Sequence, residues 1–267
     1  MTQFTEHNFH KFRDLVYEKL GIVFSDAKKI VLESKINKMM NNTGICNYEE
    51  YYRLITSNGV FWKDFVDEIT VNKTEFFREN NHFDFIHREI FYIARKNPRI
   101  VKNKEIRAWS AGCSTGEEAF SLAMCFMETV PEAYNIKILA TDINHSVIKK
   151  AQTGRYLISA ESVPSYYLHK YFQKYSDHEY IISPVIRKLI VFRHFNLTDD
   201  FPFENKMDII FCRNVMIYFD TQIQQQLFQK FYDILVPGGL LFLGHSEGIL
   251  DKNLGFRYVQ PTIYLRD

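Results

Sequence analysis

Phe211-Cys212-Arg213-Asn214-Val215-Met216-Ile217-Tyr218-Phe219-Asp220 continues an apolar run that opens at Met207, and it sets polar groups where that strand-like run should end. Ligands of an open α/β sheet bind at the carboxyl ends of its strands, so the decapeptide marks a candidate site. Two further segments share its form. Residues 106–110 run into Ala111-Gly112-Cys113-Ser114-Thr115-Gly116-Glu117-Glu118, and residues 136–141 end in Asp142. Three apolar strands with polar exits predict one shared cleft.

Around these strands the pattern alternates. A helix is expected over 80–96, and strands at 106–110, 136–141, 207–212 and 240–244 interleave with helices opening at Glu117, Ser146 and Gln222. That rhythm predicts a parallel sheet with helices on both faces, and residues 256–266 read as a closing strand pair around Gln260-Pro261. From Tyr156 to His194 the rhythm fails. A short helix over 166–172 and β-branched and aromatic alternation over 180–193, with Pro184 as a turn, predict an inserted antiparallel subdomain. Towards the N-terminus, Phe9, Phe12, Val16 and Leu20, then Val31, Lys35 and Met39 with Ile36 alongside, recur at helical spacing. Residues 47–57 and 59–72 read as two more helices, the first capped by Asn47 with Glu50 at its third position. A small all-helical domain therefore precedes the α/β domain.

The bulk numbers exclude several classes. Thirty-three Lys and Arg face 32 Asp and Glu in 267 residues, so no global field attracts nucleic acid or a membrane. Cys46, Cys113, Cys125 and Cys212 lie far apart without a C-x-x-C pair, which predicts neither a disulfide framework nor a structural metal. The opening residues carry no signal pattern, and the longest apolar run, 234–243, is broken by Pro237-Gly238-Gly239. A reduced, cytoplasmic protein without membrane insertion is the expectation.

The loop 111–116 joins a strand to a helix, and its two glycines let backbone approach a ligand closely. It lacks both the complete G-x-G-x-x-G and the G-K-[ST] of a phosphate loop. Glu117 and Glu118 suit a helix N-terminus but oppose a pyrophosphate, which favours a cationic or ribose-bearing ligand. Asp142 reads either as an acceptor for ribose hydroxyls or as the cap of the following helix, a role open to Asn144 as well. An adenosine carrier without polyphosphate, held beside carboxylates, suggests S-adenosylmethionine. Gly244-His245-Ser246-Glu247-Gly248 also fits the G-x-S-x-G of a hydrolase elbow, but no histidine follows His245 to complete a triad in that fold's order.

Five segments in register carry a more specific likeness: 70–78 (Thr-Val-Asn-Lys-Thr-Glu-Phe-Phe-Arg), 109–118, Ala140-Thr141-Asp142-Ile143, 211–220 and Gly244-His245-Ser246-Glu247. On these the chain resembles the chemotaxis receptor glutamate methyltransferase family (CheR). The resemblance implies a Rossmann-like S-adenosylmethionine-dependent methyltransferase sheet with an inserted antiparallel β subdomain and a small all-helical N-terminal domain. It divides the chain into a helical domain at 1–70, a linker and active-site segment at 71–95, and a catalytic domain at 96–267 whose insertion lies at about 156–192. It implies that Asn72, Thr74, Arg78, Glu118, Asp142, Asn196, Leu197, Arg213 and Asn214 surround the cofactor, with S-adenosylhomocysteine as product. Arg78 and Tyr218 are implied to face the acceptor carboxylate; no metal is implied.

The implied reaction moves a methyl group to glutamate side chains of chemoreceptors, whose cytoplasmic domains would be the partners of a monomeric enzyme. A non-catalytic module that binds cofactor or docks on receptors is the alternative reading. Family members are thought to meet the acidic methylation region through a basic helix; here it carries only Lys28, Lys29, Lys35 and Lys38, which read equally as a solvated face. Some members hold a receptor pentapeptide on a glycine-bearing loop of the inserted subdomain. The corresponding segment, 173–179, has no glycine, so independence from such a tether is expected.

Overall fold

The computed structural model describes residues 3–159, 162–249 and 254–267. The first two residues of the expected helical domain, and residues 160 and 161 of the expected insertion, lie outside the described residues.

Four helices make the N-terminal unit: α1 (Glu6–Leu20), α2 (Lys29–Thr43), α3 (Tyr48–Ser57) and α4 (Gly59–Ile69). Thr5 caps α1 through a reciprocal box with Asn8, and the Asn47 side chain accepts from the N–H groups of Glu49 and Glu50 at the start of α3. The helical spacing over 9–40 belongs to two helices, α1 and α2. Gly21, at φ +72°, ends α1, and a single 3₁₀ turn, Asp26–Lys28, leads into α2. The buried stripe of α2 is Leu32, Ile36, Met39 and Met40; Val31 is half exposed and Lys35 lies beside a cavity. With Phe9, Phe12, Tyr51 and Phe65 these residues form a separate core. Helix α4 stops at Ile69, before the predicted end at 72, because Thr70 leaves helical geometry and turns its hydroxyl back onto the Val66 carbonyl.

There follow α5 (Asn81–Lys96), α6 (Pro98–Asn103), β1 (Glu105–Ala111), α7 (Glu117–Thr129), β2 (Asn135–Asp142), α8 (His145–Thr153), β3 (Arg155–Leu157), α9 (Ser165–Tyr171), β4 (Phe172–Lys174), β5 (Glu179–Ile182), α10 (Pro184–Arg187), β6 (Ile190–His194), β7 (Met207–Cys212), α11 (Thr221–Ile234), β8 (Leu235–Leu243), β9 (Phe256–Gln260) and β10 (Ile263–Arg266). Seven strands form one sheet in the order β6-β2-β1-β7-β8-β10-β9, with β6, β2, β1, β7 and β8 parallel and β10 antiparallel to both neighbours. A second sheet, β3-β5-β4, is antiparallel and is the insertion. The alternation over 180–193 spans two structures: β5 belongs to the insertion, and Pro184 opens the short α10 rather than a plain turn. β6 returns to the edge of the main sheet. Apolar alternation marks a pleated surface without saying which sheet it joins.

Strand alternation sorts side chains to the two faces. Ile106, Ala108, Phe211 and Phe242 pack into the core beneath α5 and α7, while Trp109, Ala111, Ile210, Cys212, Leu241 and Leu243 face the core that contains Leu227, Phe228 and Phe231 of α11. Pro237-Gly238-Gly239 does not end β8; the register against β7 shifts there and the strand continues. The order reverses at β1, between β2 and β7, so the exits of these three strands flank the switch point where a doubly wound sheet opens a crevice.

Candidate active site

At that crevice the loop after β1 is fixed by backbone. The N–H groups of Gly112 and Cys113 both donate to the Thr141 carbonyl at 2.8 Å, and the Ser114 N–H donates to Asp142 Oδ2 at 2.8 Å. Gly112 sits at φ +89°, and a Cβ there would come within 2.4 Å of Val215 Cγ2, so only glycine lets the β1 and β7 loops meet this closely. Asp142 does not cap α8; the Asn144 side chain does, accepting from the Val147 N–H. Asp142 instead takes the Ser114 and Asn144 N–H groups on its two oxygens. Burial pushes its carboxyl above the usual range, and those N–H groups oppose the rise.

Glu118, in the first turn of α7, accepts the Ser110 hydroxyl at 2.6 Å and lies 3.6 Å from Arg213. Burial raises its pKa against the pull of the Arg213 charge. Beyond β7, Arg213 is buried and donates to the Arg78 carbonyl; Asn214, at φ +58°, gives its N–H to Glu247 Oε2 at 2.8 Å. Glu247 also accepts from the Gly244 and Ile217 N–H groups, so the 244–248 segment is a turn ordered around the glutamate and not around Ser246. Phe76 and Phe77 are packing residues: Phe76 meets Tyr156 and Phe172 edge-on, and Phe77 packs on Phe83 and Tyr167. Next to them in the chain, Arg78 gives one N–H to the Lys73 carbonyl at 2.9 Å.

One cavity of about 260 Å³ is lined by Asn72, Thr74, Arg78, Glu118, Asp142, Asn196, Leu197, Arg213, Asn214 and Tyr218 together. The residues that the resemblance assigns to cofactor and acceptor are thus brought to one place, whereas Glu117 does not line the cavity and accepts the Thr115 hydroxyl at 2.6 Å. Asn196 is both lining and turn, its carboxamide donating to the Lys19 carbonyl and accepting the Thr198 N–H. Tyr218 is partly buried; burial raises its phenol pKa and the nearby Arg78 charge lowers it.

Sequence reasoning missed the part played by the helical domain, whose Ile22, Val23, Phe24 and Lys28 form one wall of the cavity. It also missed Glu79, whose only signal was its place beside Arg78. The basic face of α2 is largely consumed within the domain: Lys29 pairs with Glu6, Lys35 donates to the Glu68 carbonyl and Lys38 pairs with the Glu68 carboxylate. Among the described residues no helix is long and apolar enough to cross a membrane.

A parallel sheet reversed at β1, closed by an antiparallel strand between β8 and β9, with carboxylates at the exits of β1 and β2, defines the class of S-adenosylmethionine-dependent methyltransferases. The chain belongs to the CheR methyltransferase family: the family's SAM-binding domain matches residues 72–265 and its all-alpha domain residues 7–70. It is 36% identical over 271 residues to the chemotaxis protein methyltransferase of Borreliella burgdorferi, covering 98% of this chain and 95% of that protein. It is 34% identical to a probable chemotaxis protein methyltransferase of Rhizobium etli, covering 88% and 90%, and 32% identical to the chemotaxis protein methyltransferase of Escherichia coli, covering 97% and 91%.

The cavity fits the cofactor of that class. Asp142 keeps lone pairs beyond the two N–H groups it accepts, suiting hydroxyl donors, and Arg213 Nε is buried without a hydrogen-bond partner. The close approach at Gly112 leaves backbone bare on the cavity wall.

Proposed function

We propose that this protein methylates glutamate side-chain carboxylates on the cytoplasmic domains of chemoreceptors, forming glutamyl methyl esters in chemotactic adaptation. The observation that carries the reading is that Arg78 and Tyr218 share one cavity with the carboxylate-bearing strand exits. Asn72, Thr74, Arg78, Glu118, Asp142, Asn196, Leu197, Arg213 and Asn214 would hold the cofactor. Bound S-adenosylmethionine supplies an electrophilic methyl group on a sulfonium.

The chain's own part is positioning. A glutamate of ordinary pKa, about 4.3, is ionised at neutral pH, so no general base is required. Burial in the cavity would protonate it, and the Arg78 guanidinium opposes this. An arginine fork with a tyrosine hydroxyl can aim one carboxylate oxygen, and such orientation is worth up to about 7–11 kcal/mol. Opposite charges are lost as the ester forms, so a cavity walled by Ile22, Val23, Phe24 and Val215 favours the transition state over the separated ions.

Independence from a receptor pentapeptide belongs to the same proposal. Its support is the connection from β4 to β5, a four-residue turn at 175–178 in which the Tyr175 and Ser176 N–H groups both close on the Glu179 carbonyl.

The test is transfer of labelled methyl from S-adenosylmethionine to receptor-containing membranes, with alkali treatment of the product. Alkali-labile label on receptors, lost in Arg78→Ala, is the expected result. Binding of cofactor without label on competent receptors would replace the enzyme by a docking module.

A further inference from the structure

The segment that carries Arg78 is strained on both sides. Phe77 and Glu79 stand at φ +53° and +55°, a left-handed region that side chains larger than glycine rarely occupy. Such conformations persist only where the surroundings over-determine them. On the Phe77 side the holding contact is ordinary: its N–H donates to the buried Ser121 hydroxyl at 2.9 Å. On the Glu79 side it is a set of polar contacts that reaches two strand exits.

Glu79 Oε1 accepts from Asn214 Nδ2 at 3.3 Å, beyond β7, and from the His245 N–H at 3.2 Å, beyond β8. Its Oε2 lies 3.3 Å from Arg213 Nη2, the same nitrogen that donates to the Arg78 carbonyl. Burial pushes the Glu79 carboxyl up, but Arg213 with the His245 and Asn214 donors outweighs it and holds the group below its ordinary range, so it is charged at neutral pH. His82 Nδ1 and His245 Nε2 gather near the same carboxylate. The guanidinium already in contact supplies the positive charge there, which argues against reading the cluster as a metal site.

We infer that Glu79 is a positioning residue: its carboxylate sets Arg213 and Asn214 in place along the cofactor side of the cavity and locks the strained turn that presents Arg78. Glu79 acts through these neighbours, and it does not line the cavity itself. The inference rests on the assignment of Asn214 to the cofactor, within the function proposed above.

Titration of the full-length protein with S-adenosylhomocysteine by calorimetry tests it without any receptor. Glu79→Ala is expected to weaken binding tenfold or more. Glu79→Gln, which keeps the shape and the acceptor for Asn214 and His245 but not the charge facing Arg213, is expected to fall between it and the natural protein. The thermal midpoint without ligand should not follow that order. Affinity within twofold of the natural protein in both variants, or losses that simply track the midpoint, would overturn the inference. Asn214→Ala separates the two levels: if it binds normally, the cofactor assignment fails with the inference, whereas if it binds weakly while the Glu79 variants bind normally, the inference alone fails.

Discussion

Val23 donates its backbone N–H to the carbonyl of Tyr218 at 2.9 Å, joining the helical domain to the residue proposed to face the acceptor. Ile22 and Phe219 form an antiparallel bridge beside it, and the Tyr17 hydroxyl donates to Asp220 at 2.7 Å. The helical domain is therefore one wall of the active site and not an appendage.

Gly21 sets the direction of that connection. At φ +72° an added Cβ would meet Thr198 Cγ2 at 2.8 Å and Ile223 Cδ1 at 3.0 Å. Gly21→Ala is expected to cost about 1–3 kcal/mol, lowering the thermal midpoint by about 2–4 °C for each kcal/mol. Methyl transfer should drop further than stability alone requires, because the strain moves Val23 off Tyr218. A calorimetric scan and a transfer assay on the same preparation would check both.

Asp142→Asn tests the loop that follows β1. Two N–H groups converge on separate oxygens of this carboxylate, and an amide offers only one acceptor oxygen, leaving Ser114 or Asn144 opposed by an NH₂. A buried donor left unsatisfied costs about 1–3 kcal/mol. The expected result is S-adenosylhomocysteine affinity lower by about tenfold or more, equal to about 1.4 kcal/mol, with a smaller loss of stability.

Much of this arrangement was legible in the sequence because strand exits are local. The apolar runs ending at Asp142 and Cys212 announce both the strand and the polar turn beyond it, and Asn47 announces α3 by the chemistry of its own side chain. What stayed hidden depends on distant partners. Nothing in the run over 190–194 says that it pairs with β2 rather than with the insertion, since that choice is made by neighbours brought together only in the fold. The lysines of α2 look free in sequence because Glu6 and Glu68 reach them from other helices. The wall formed by Ile22 and Val23 is invisible for the same reason: its partners, Tyr218 and Phe219, lie almost 200 residues away.

Gly112 and Val215 should be energetically coupled. Gly112→Ala places a Cβ 2.4 Å from Val215 Cγ2 and keeps a strained φ of +89°. Val215→Ala removes the clashing methyls but not the strain, so the double variant should recover part of the loss. Denaturant unfolding of the four proteins is expected to give a coupling energy of about 0.5–3 kcal/mol. A coupling near zero would mean that the two loops move apart freely.

His82 is fully buried between Phe211, Phe242 and His245, with Nε2 beside the Thr262 hydroxyl. Burial, reinforced by the Arg213 charge and opposed by Glu79, lowers its pKa to about 3. The unfolded chain, with a histidine of ordinary pKa near 6.5, takes up a proton that the folded protein refuses. In the window from about 6.5 down to about 3, the unfolded state thus binds more protons, so stability rises with pH and is lost as pH falls, by at most about 1.4 kcal/mol per pH unit. His82→Gln stays neutral at every pH and lacks this slope. Urea unfolding at pH 7 and pH 5 should show the natural protein losing about 2 kcal/mol more than the variant over that interval. Equal losses would mean that His82 is protonated in the folded protein, and the polar cluster around Glu79 would then carry an additional charge.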